Sequence, residues 1–256
     1  LPTPPEFDRL CVVLVSTRNP LNIGAVARAM SNLGFLRLRV VNPYEASFRE
    51  ARSAVGAAPL LKNAEEYSSV PEAVADCSLV IGTTAAGNRE LHHPLRLLKD
   101  AAPLVRKRLR YGSRVALLFG SEKRGLANDD LSHCHWLLHI PTREEHVSMN
   151  LGQAVAVCLY ELARGADLAG TRTKSKAMHQ AEKLKPATSG ELERITAMLI
   201  EALRASGYLE KRSVGAKEEK IRYMVRRLSL SSTDAEVWLG MLRQMLWKMK
   251  PSETNQ

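Results

Sequence analysis

The stretch CVVLVSTRNPLNIGAVARAMSNLGFLRLRVV, residues 11–41, decides the fold class. Its first five residues, Cys11 to Val15, form an unbroken β-rich apolar run and read as a buried strand. From Asn22 to Leu33 the apolar period changes, and Ala25, Val26, Ala29 and Leu33 share one face of a helix. Leu36 to Val41 returns to strand. Strands without polar alternation are covered on both faces, which is the signature of a mainly parallel sheet in an α/β fold.

Outward from this unit the pattern repeats. Leu79 to Gly82, Val115 to Phe119 and Trp136 to Ile140 read as further strands. Val70 to Ala75, Pro94 to Arg108 and Asn150 to Ala163 read as helices. The last is apolar on most sides and is expected to be buried. Gly, Ser, Thr and Lys then dominate a basic linker, and the sequence divides into an α/β domain (1–165), a linker (166–188) and a small helical extension (189–256). Thr188 to Glu191 and Thr233 to Glu236 both have the spacing of helix capping boxes. Between them, Lys217 to Leu228 carries Ile221, Met224, Val225 and Leu228 on one face, with Lys217, Lys220, Arg222, Arg226 and Arg227 around the rest.

With 256 residues, 45% of them hydrophobic and 25% charged, the chain can bury a substantial core, so disorder is excluded as its main state. The net charge of +10 points to a polyanionic partner. Residues 171–256 hold 17 Lys and Arg against 10 Asp and Glu, which concentrates the basic excess in the tail. No apolar run is long enough to cross a bilayer, and Leu1-Pro-Thr-Pro-Pro5 has no secretory pattern, so a cytoplasmic protein with no membrane partner is expected. Cys11, Cys77, Cys134 and Cys158 are widely spaced, which argues against a disulfide framework. Cys134 sits in a His133-Cys134-His135 cluster near His139, but these side chains point to both sides of a strand, and no metal site is expected.

The dinucleotide glycine fingerprint, the P-loop, the HExxH zinc motif and the GxSxG elbow are all absent. Three other junctions carry the chemistry. Asn19-Pro-Leu-Asn22-Ile-Gly24-Ala-Val-Ala-Arg28 enters the first helix, and Asn22 reads either as its N-cap or as a site residue. Arg28 is out of place in a helix of small apolar residues. Phe119-Gly120-Ser-Glu122-Lys-Arg-Gly125 follows a buried strand, with two glycines bracketing a carboxylate, a loop able to wrap a ligand with backbone groups. Ile140 to Gly152 runs from a strand end to the start of the long apolar helix, where capping accounts for one of Ser148 and Asn150 but not both.

The three stretches NPLNIGAVARAMSNLGF, LLFGSEKRGL and IPTREEHVSMNLGQAVAVCLYEL together resemble the three motifs of the SPOUT superfamily of RNA methyltransferases, in its TrmH and TrmJ branch, with the TrmJ type nearest. The resemblance covers residues 9–165. It implies an α/β fold with a C-terminal trefoil knot, a homodimer with active sites near the subunit interface, and S-adenosyl-L-methionine as methyl donor. It implies a catalytic set of Asn22, Arg28, Glu122, Ser148 and Asn150. It places the donor against Thr83, Thr84, Phe119, Gly120, Glu122, Gly125, Ile140, Ser148, Met149 and Leu151. The reaction it implies is methylation of a ribose 2′-OH in tRNA, at cytidine or uridine 32 of the anticodon loop. A TrmH-like action on a tRNA guanosine or on ribosomal RNA is the alternative within the class, and a non-catalytic RNA-binding protein the alternative outside it.

Overall fold

A computed structural model describes residues 4–44, 58–85, 93–164, 185–209 and 214–249. Seven strands form one sheet: β1 (Leu10–Val15), β2 (Arg37–Val41), β3 (Glu65–Tyr67), β4 (Leu79–Thr83), β5 (Leu95–Leu97), β6 (Val115–Phe119) and β7 (Trp136–His139). They lie in the order β3-β2-β1-β6-β4-β7-β5, and every pairing is parallel. β1 and β6 are buried along their whole length, which explains their uninterrupted apolar sequence.

Nine α-helices accompany the strands among the described residues: α1 (Pro20–Leu33), α2 (Ala58–Lys62), α3 (Val70–Ala73), α4 (Leu98–Arg110), α5 (Asn128–Ser132), α6 (Leu151–Arg164), α7 (Ser189–Ala205), α8 (Val214–Arg227) and α9 (Ser232–Met249). Alternate strand residues feed two cores. Leu10, Val12 and Leu14 join Ile23, Val26 and Met30 of α1, Ala102 and Val105 of α4, and Val155 and Leu159 of α6. Cys11, Val13 and Val15 join Val70 and Val74 in and after α3 and Leu131 of α5 on the other face. All four cysteines are buried free thiols.

Several expectations change. The helix expected from Pro94 begins instead with the edge strand β5, whose Leu-Arg-Leu sequence is too short to show a period. β3 is a second short edge strand, hidden in sequence by its two glutamates. α6 is buried only on the side carrying Leu151, Val155, Cys158, Leu159 and Leu162, while Tyr160 is 59% exposed and Val157 is exposed beside it. Alanines on several sides made it look uniformly apolar.

The extension has its own small core of Ala187, Leu192, Ile195, Val225, Ala235 and Leu242. The Thr188–Glu191 capping box forms as expected, with Glu191 N–H donating to Thr188 Oγ1 at 3.2 Å and Thr188 N–H to Glu191 Oε2 at 2.7 Å. At α9 the box is Ser231–Asp234 rather than Thr233–Glu236, because the helix starts at Ser232. Of the four apolar residues expected on one face of α8, only Val225 reaches the core, and Met224 and Leu228 are exposed.

This extension sits against the α/β domain at the N-terminal ends of β4 and β7. Ser189 N–H donates to Cys77 O at 2.7 Å and Gly190 N–H to Ala75 O at 3.0 Å. A Cβ on Gly190 would itself lie 3.0 Å from Ala75 O, so a larger residue there would push the two backbones apart by a few tenths of an ångström. Arg226 Nε donates to His133 O at 2.9 Å, and Arg222 Nη1 to Ser132 Oγ at 3.0 Å. Two of the cations expected on a solvent-facing basic surface of α8 therefore point inward. The linker up to residue 184 lies outside the described residues.

Candidate active site

The C-terminal ends of β1, β4, β6 and β7 converge, because all four strands are parallel. In an open parallel sheet this edge is where ligands bind. A cleft of about 590 Å³ opens there, within the usual range for small-molecule sites.

β4 contributes Thr83 and Thr84. Thr83 Oγ1 donates to Leu118 O at 2.8 Å, and Thr84 N–H to Leu138 O at 3.0 Å, which fixes the strand end between its neighbours. Phe119, at the end of β6, is buried below the opening. The loop after it closes on itself: Gly125 N–H donates to Ser121 O at 2.8 Å. A Cβ on Gly120 would fall 2.0 Å from the Gly125 carbonyl carbon, and Gly125 has φ +66°. Both glycines are thus dictated by the closure of the loop itself, not solely by approach to a ligand. β7 leads into Ile140, and Thr142 Oγ1, donating to Val147 O at 3.2 Å, shapes the segment carrying Ser148 and Met149.

Three side chains tie these loops together. Asn150 opens α6: its Oδ1 accepts from Gly152 N–H at 2.9 Å and Gln153 N–H at 3.3 Å, the contacts of a helix cap. Its Nδ2 donates to Asn22 Oδ1 at 2.9 Å, and Asn22 Nδ2 donates to Glu122 Oε1 at 3.1 Å. The direction of the chain is set by its end, since a carboxylate only accepts. Glu122 also accepts from Asn19 N–H at 3.2 Å and Arg18 N–H at 3.4 Å. Partial burial pushes the Glu122 carboxyl up, but hydrogen bonds from its own backbone, Asn22, Asn19 and Arg18 outweigh it, and the net shift is downward. The loops after β1 and β6 meet at this one carboxylate, and the start of α6 joins them through Asn22.

The helix N-cap that Asn22 could have supplied is Asn19, whose side chain accepts from Leu21 N–H at 2.9 Å. Asn22 lies inside the first turn and faces the cleft. All ten residues expected around the donor line the cleft, with Asn22 and Asn150. Arg28 does not: it lies further along α1 on an exposed surface. Lys123, Arg124, Leu126 and Leu131 also line it. The first two stood between the loop glycines in plain view, whereas Leu126 and Leu131 carried no signal beyond hydrophobicity.

The His-Cys-His cluster lies elsewhere and is occupied by protein contacts. His135 Nδ1 accepts from Val80 N–H at 3.1 Å, and burial, the largest effect, holds its pKa down at about 3.

The matched region and its loops agree with one family, the SpoU rRNA Methylase family, over residues 9–160. The chain belongs to this family. Among relatives of this SpoU protein, a Pseudomonas aeruginosa protein named tRNA (cytidine/uridine/adenosine-2′-O-)-methyltransferase TrmJ is 35% identical over 93% of this chain and 94% of its own length. A Klebsiella pneumoniae tRNA (cytidine/uridine-2′-O-)-methyltransferase TrmJ is 36% identical over 92% and 96%. The crystal structure of TrmJ from Z. mobilis ZM4 superposes with a TM-score of 0.77 at 29% identity, covering 92% of this chain and 98% of that one. Similarity thus extends through the helical extension as well as the sheet.

Proposed function

We propose that the chain transfers a methyl group from S-adenosyl-L-methionine to a ribose 2′-OH of tRNA, at cytidine or uridine 32 of the anticodon loop, and works as a homodimer in the cytoplasm. The observation that carries this reading is the Asn150–Asn22–Glu122 chain, which fastens three sequence-distant loops around one cleft. Similarity to the tRNA 2′-O-methyltransferases supports the substrate class.

The cleft suits the donor. Phe119, Leu138, Ile140 and Leu151 offer apolar surface, the strand ends offer backbone groups, and Glu122 supplies a negative charge for a cationic ligand. When bound, the donor supplies an electrophilic methyl group on a sulfonium. The chain's own task is to present the 2′-OH in line with that methyl, its proton passing to water as the new O–CH3 bond forms and the bond to sulfur breaks, and positioning supplies much of the rate. Ser148, exposed on the cleft wall, is placed to contact the ribose or its phosphate. Asn22 and Asn150 hold the loops.

Arg28 reaches a cleft only from a second chain. Leu21, at 80% exposure, and Tyr160 of α6 are exposed apolar side chains that a second chain would cover. In that arrangement Arg28 orients the ribose and its phosphate, since a guanidinium is a strong fork-shaped donor and a poor proton acceptor. The trefoil knot belongs to the same reading. A nucleoside map by mass spectrometry of tRNA from cells lacking the protein tests the whole. The expected result is loss of 2′-O-methylation at position 32 and its return on adding the purified protein and donor. An unchanged map, or no binding of S-adenosylhomocysteine at millimolar concentration, overturns it.

A further inference from the structure

Helix α8 has two kinds of cation. Arg222 and Arg226 turn inward. Arg226 is 2% exposed, and besides its 2.9 Å bond to His133 O it donates from Nη2 to Glu193 Oε2 at 3.1 Å. Arg222 Nε donates to Glu193 Oε1 at 3.1 Å, so one carboxylate of α7 serves both arginines. Arg226 Nη1 is buried with no hydrogen-bond partner, an arrangement costly to stability alone. Together with the Ser189 and Gly190 backbone bonds, this clasps the extension to the α/β domain at two separated points.

Lys217, Lys220 and Arg227 turn outward, recurring with Met224 at steps of three and four residues and so forming one stripe. No acidic residue shares that stripe, and among the described residues no carboxylate pairs with Lys217 or Lys220. Arg227 lies over the ring of Tyr223, 4.7 Å from its centre, which fixes the guanidinium on the surface. The stripe runs about 15 Å along the helix, enough to meet several phosphates of a strand that rises roughly 3.4 Å per nucleotide.

We propose that the two sets divide the work. Arg226, assisted by Arg222, is a positioning residue that locks the extension onto the end of α5 at His133, and Lys217, Lys220 and Arg227 meet RNA phosphates from that fixed place. The extension is then a preorganised arm rather than a tethered one, and its rigidity lowers the ordering cost of binding RNA. This rests on the RNA-modifying reading above. It explains why a basic helix spends two of its arginines on its own protein.

The test uses the full-length chain, an in-vitro-transcribed tRNA and S-adenosylhomocysteine. Arg226→Met is expected to speed hydrogen exchange at the Ser189 and Gly190 amides and weaken tRNA binding at least fivefold. Its salt dependence should stay near that of the parent, and S-adenosylhomocysteine binding should not change. Arg226→Lys, which can reach His133 O or Glu193 but not both as a fork, should restore part of each effect. The triple variant Lys217→Ala, Lys220→Ala, Arg227→Ala should leave that exchange unchanged and reduce the log–log salt slope by about 2 or more, at roughly 0.9 per phosphate contact. The division of work is wrong if Arg226→Met leaves exchange or tRNA affinity at parental values, or if the triple variant keeps the full slope. A parent chain that binds tRNA in a salt-dependent way but methylates none defeats the enzymatic reading and leaves this one standing. One that binds no tRNA defeats both.

Discussion

The two edges of the sheet solve opposite problems with similar groups. At the C-terminal edge a carboxylate, Glu122, is surrounded by neutral donors from the segment 18–22 and stays near solvent. At the N-terminal edge a carboxylate, Glu193, is surrounded by two guanidinium groups and a histidine, and the arginine it pairs with is buried. The first arrangement holds loops in place without neutralising the charge, so a cationic ligand still sees it. The second spends its charge internally and makes a joint. A carboxylate that must act on something else is held by amides; one that must only hold is held by cations.

The largest expected effect tests whether the C-terminal edge is complete within one chain. Arg28→Ala should leave the fold and S-adenosylhomocysteine binding intact and lower methyl transfer at least a hundredfold in single-turnover assays. Retention of more than a tenth of the parental rate, a loss under about 1.4 kcal/mol, removes Arg28 from the reaction. Mixing Arg28→Ala with a cleft variant such as Ser148→Ala sharpens the result. Recovered activity in the mixed dimers shows that each cleft borrows the arginine of the partner subunit.

Next comes the loop. Gly120→Val places atoms where the Gly125 backbone already lies. We expect a fall in S-adenosylhomocysteine affinity of tenfold or more, together with a stability loss of about 1–3 kcal/mol typical of overpacking. Gly125→Ala, strained only by its positive φ, should cost about 1–2 kcal/mol and affect binding less. Equal effects would mean that the self-contact of the loop does not set its shape.

How much of this was legible before the structure follows from the same contrast. β1 and β6 were readable because burial on both faces writes itself as continuous apolar sequence. α1 was readable as a helix from its period, but its buried face is Ile23, Val26, Ala27 and Met30, and Ala25 of the expected face is exposed. The loop from Gly120 to Gly125 was readable because loops that close tightly need glycine; Thr83, Thr84, Ile140, Met149 and Leu151 came only from the resemblance to the SPOUT methyltransferases. β3 and β5 were not, since edge strands of three residues with Glu or Arg have no periodicity to show. The joint at Arg226 was not readable either. Arginine in a helix looks alike whether it meets solvent or His133, and only the packing of α8 against α5 distinguishes them. Weighing Asn22 as the N-cap places the cap too late, whereas Asn19, followed by Pro20 at the first helical position, supplies it.

Acid separates the two edges further. Burial raises the Glu193 carboxyl, but the His133 contact and the charges of Arg226 and Arg222 outweigh it and bring its pKa down to about 2. A depressed carboxylate stabilises fully above its unfolded pKa near 4.3, and the contribution is lost as pH falls through the folded value. The joint should therefore survive at pH 4 and open only on approach to pH 2. Hydrogen exchange at Ser189 and Gly190, followed from pH 6 downward and corrected for intrinsic rates, measures this. Opening already at pH 5 would mean that Glu193 is not what holds it.

The smallest effect concerns the two asparagines three residues apart. Asn19 caps α1 through its side chain but gives Glu122 only its backbone N–H. Asn22 gives Glu122 its side chain and receives Asn150. Asn19→Ala should thus cost about 1 kcal/mol of stability, as caps do, and leave methyl transfer within threefold, because the backbone bond survives. Asn19→Ser, which keeps a capping oxygen, should be close to neutral. Asn22→Ala should show the reverse, with little loss of stability at an exposed first turn and a rate loss above tenfold as the loops lose their shared contact. Thermal melts and single-turnover rates on the three variants give two independent columns. If Asn19→Ala lowers the rate as much as Asn22→Ala does, the cleft depends on where α1 begins rather than on the amide chain that crosses it.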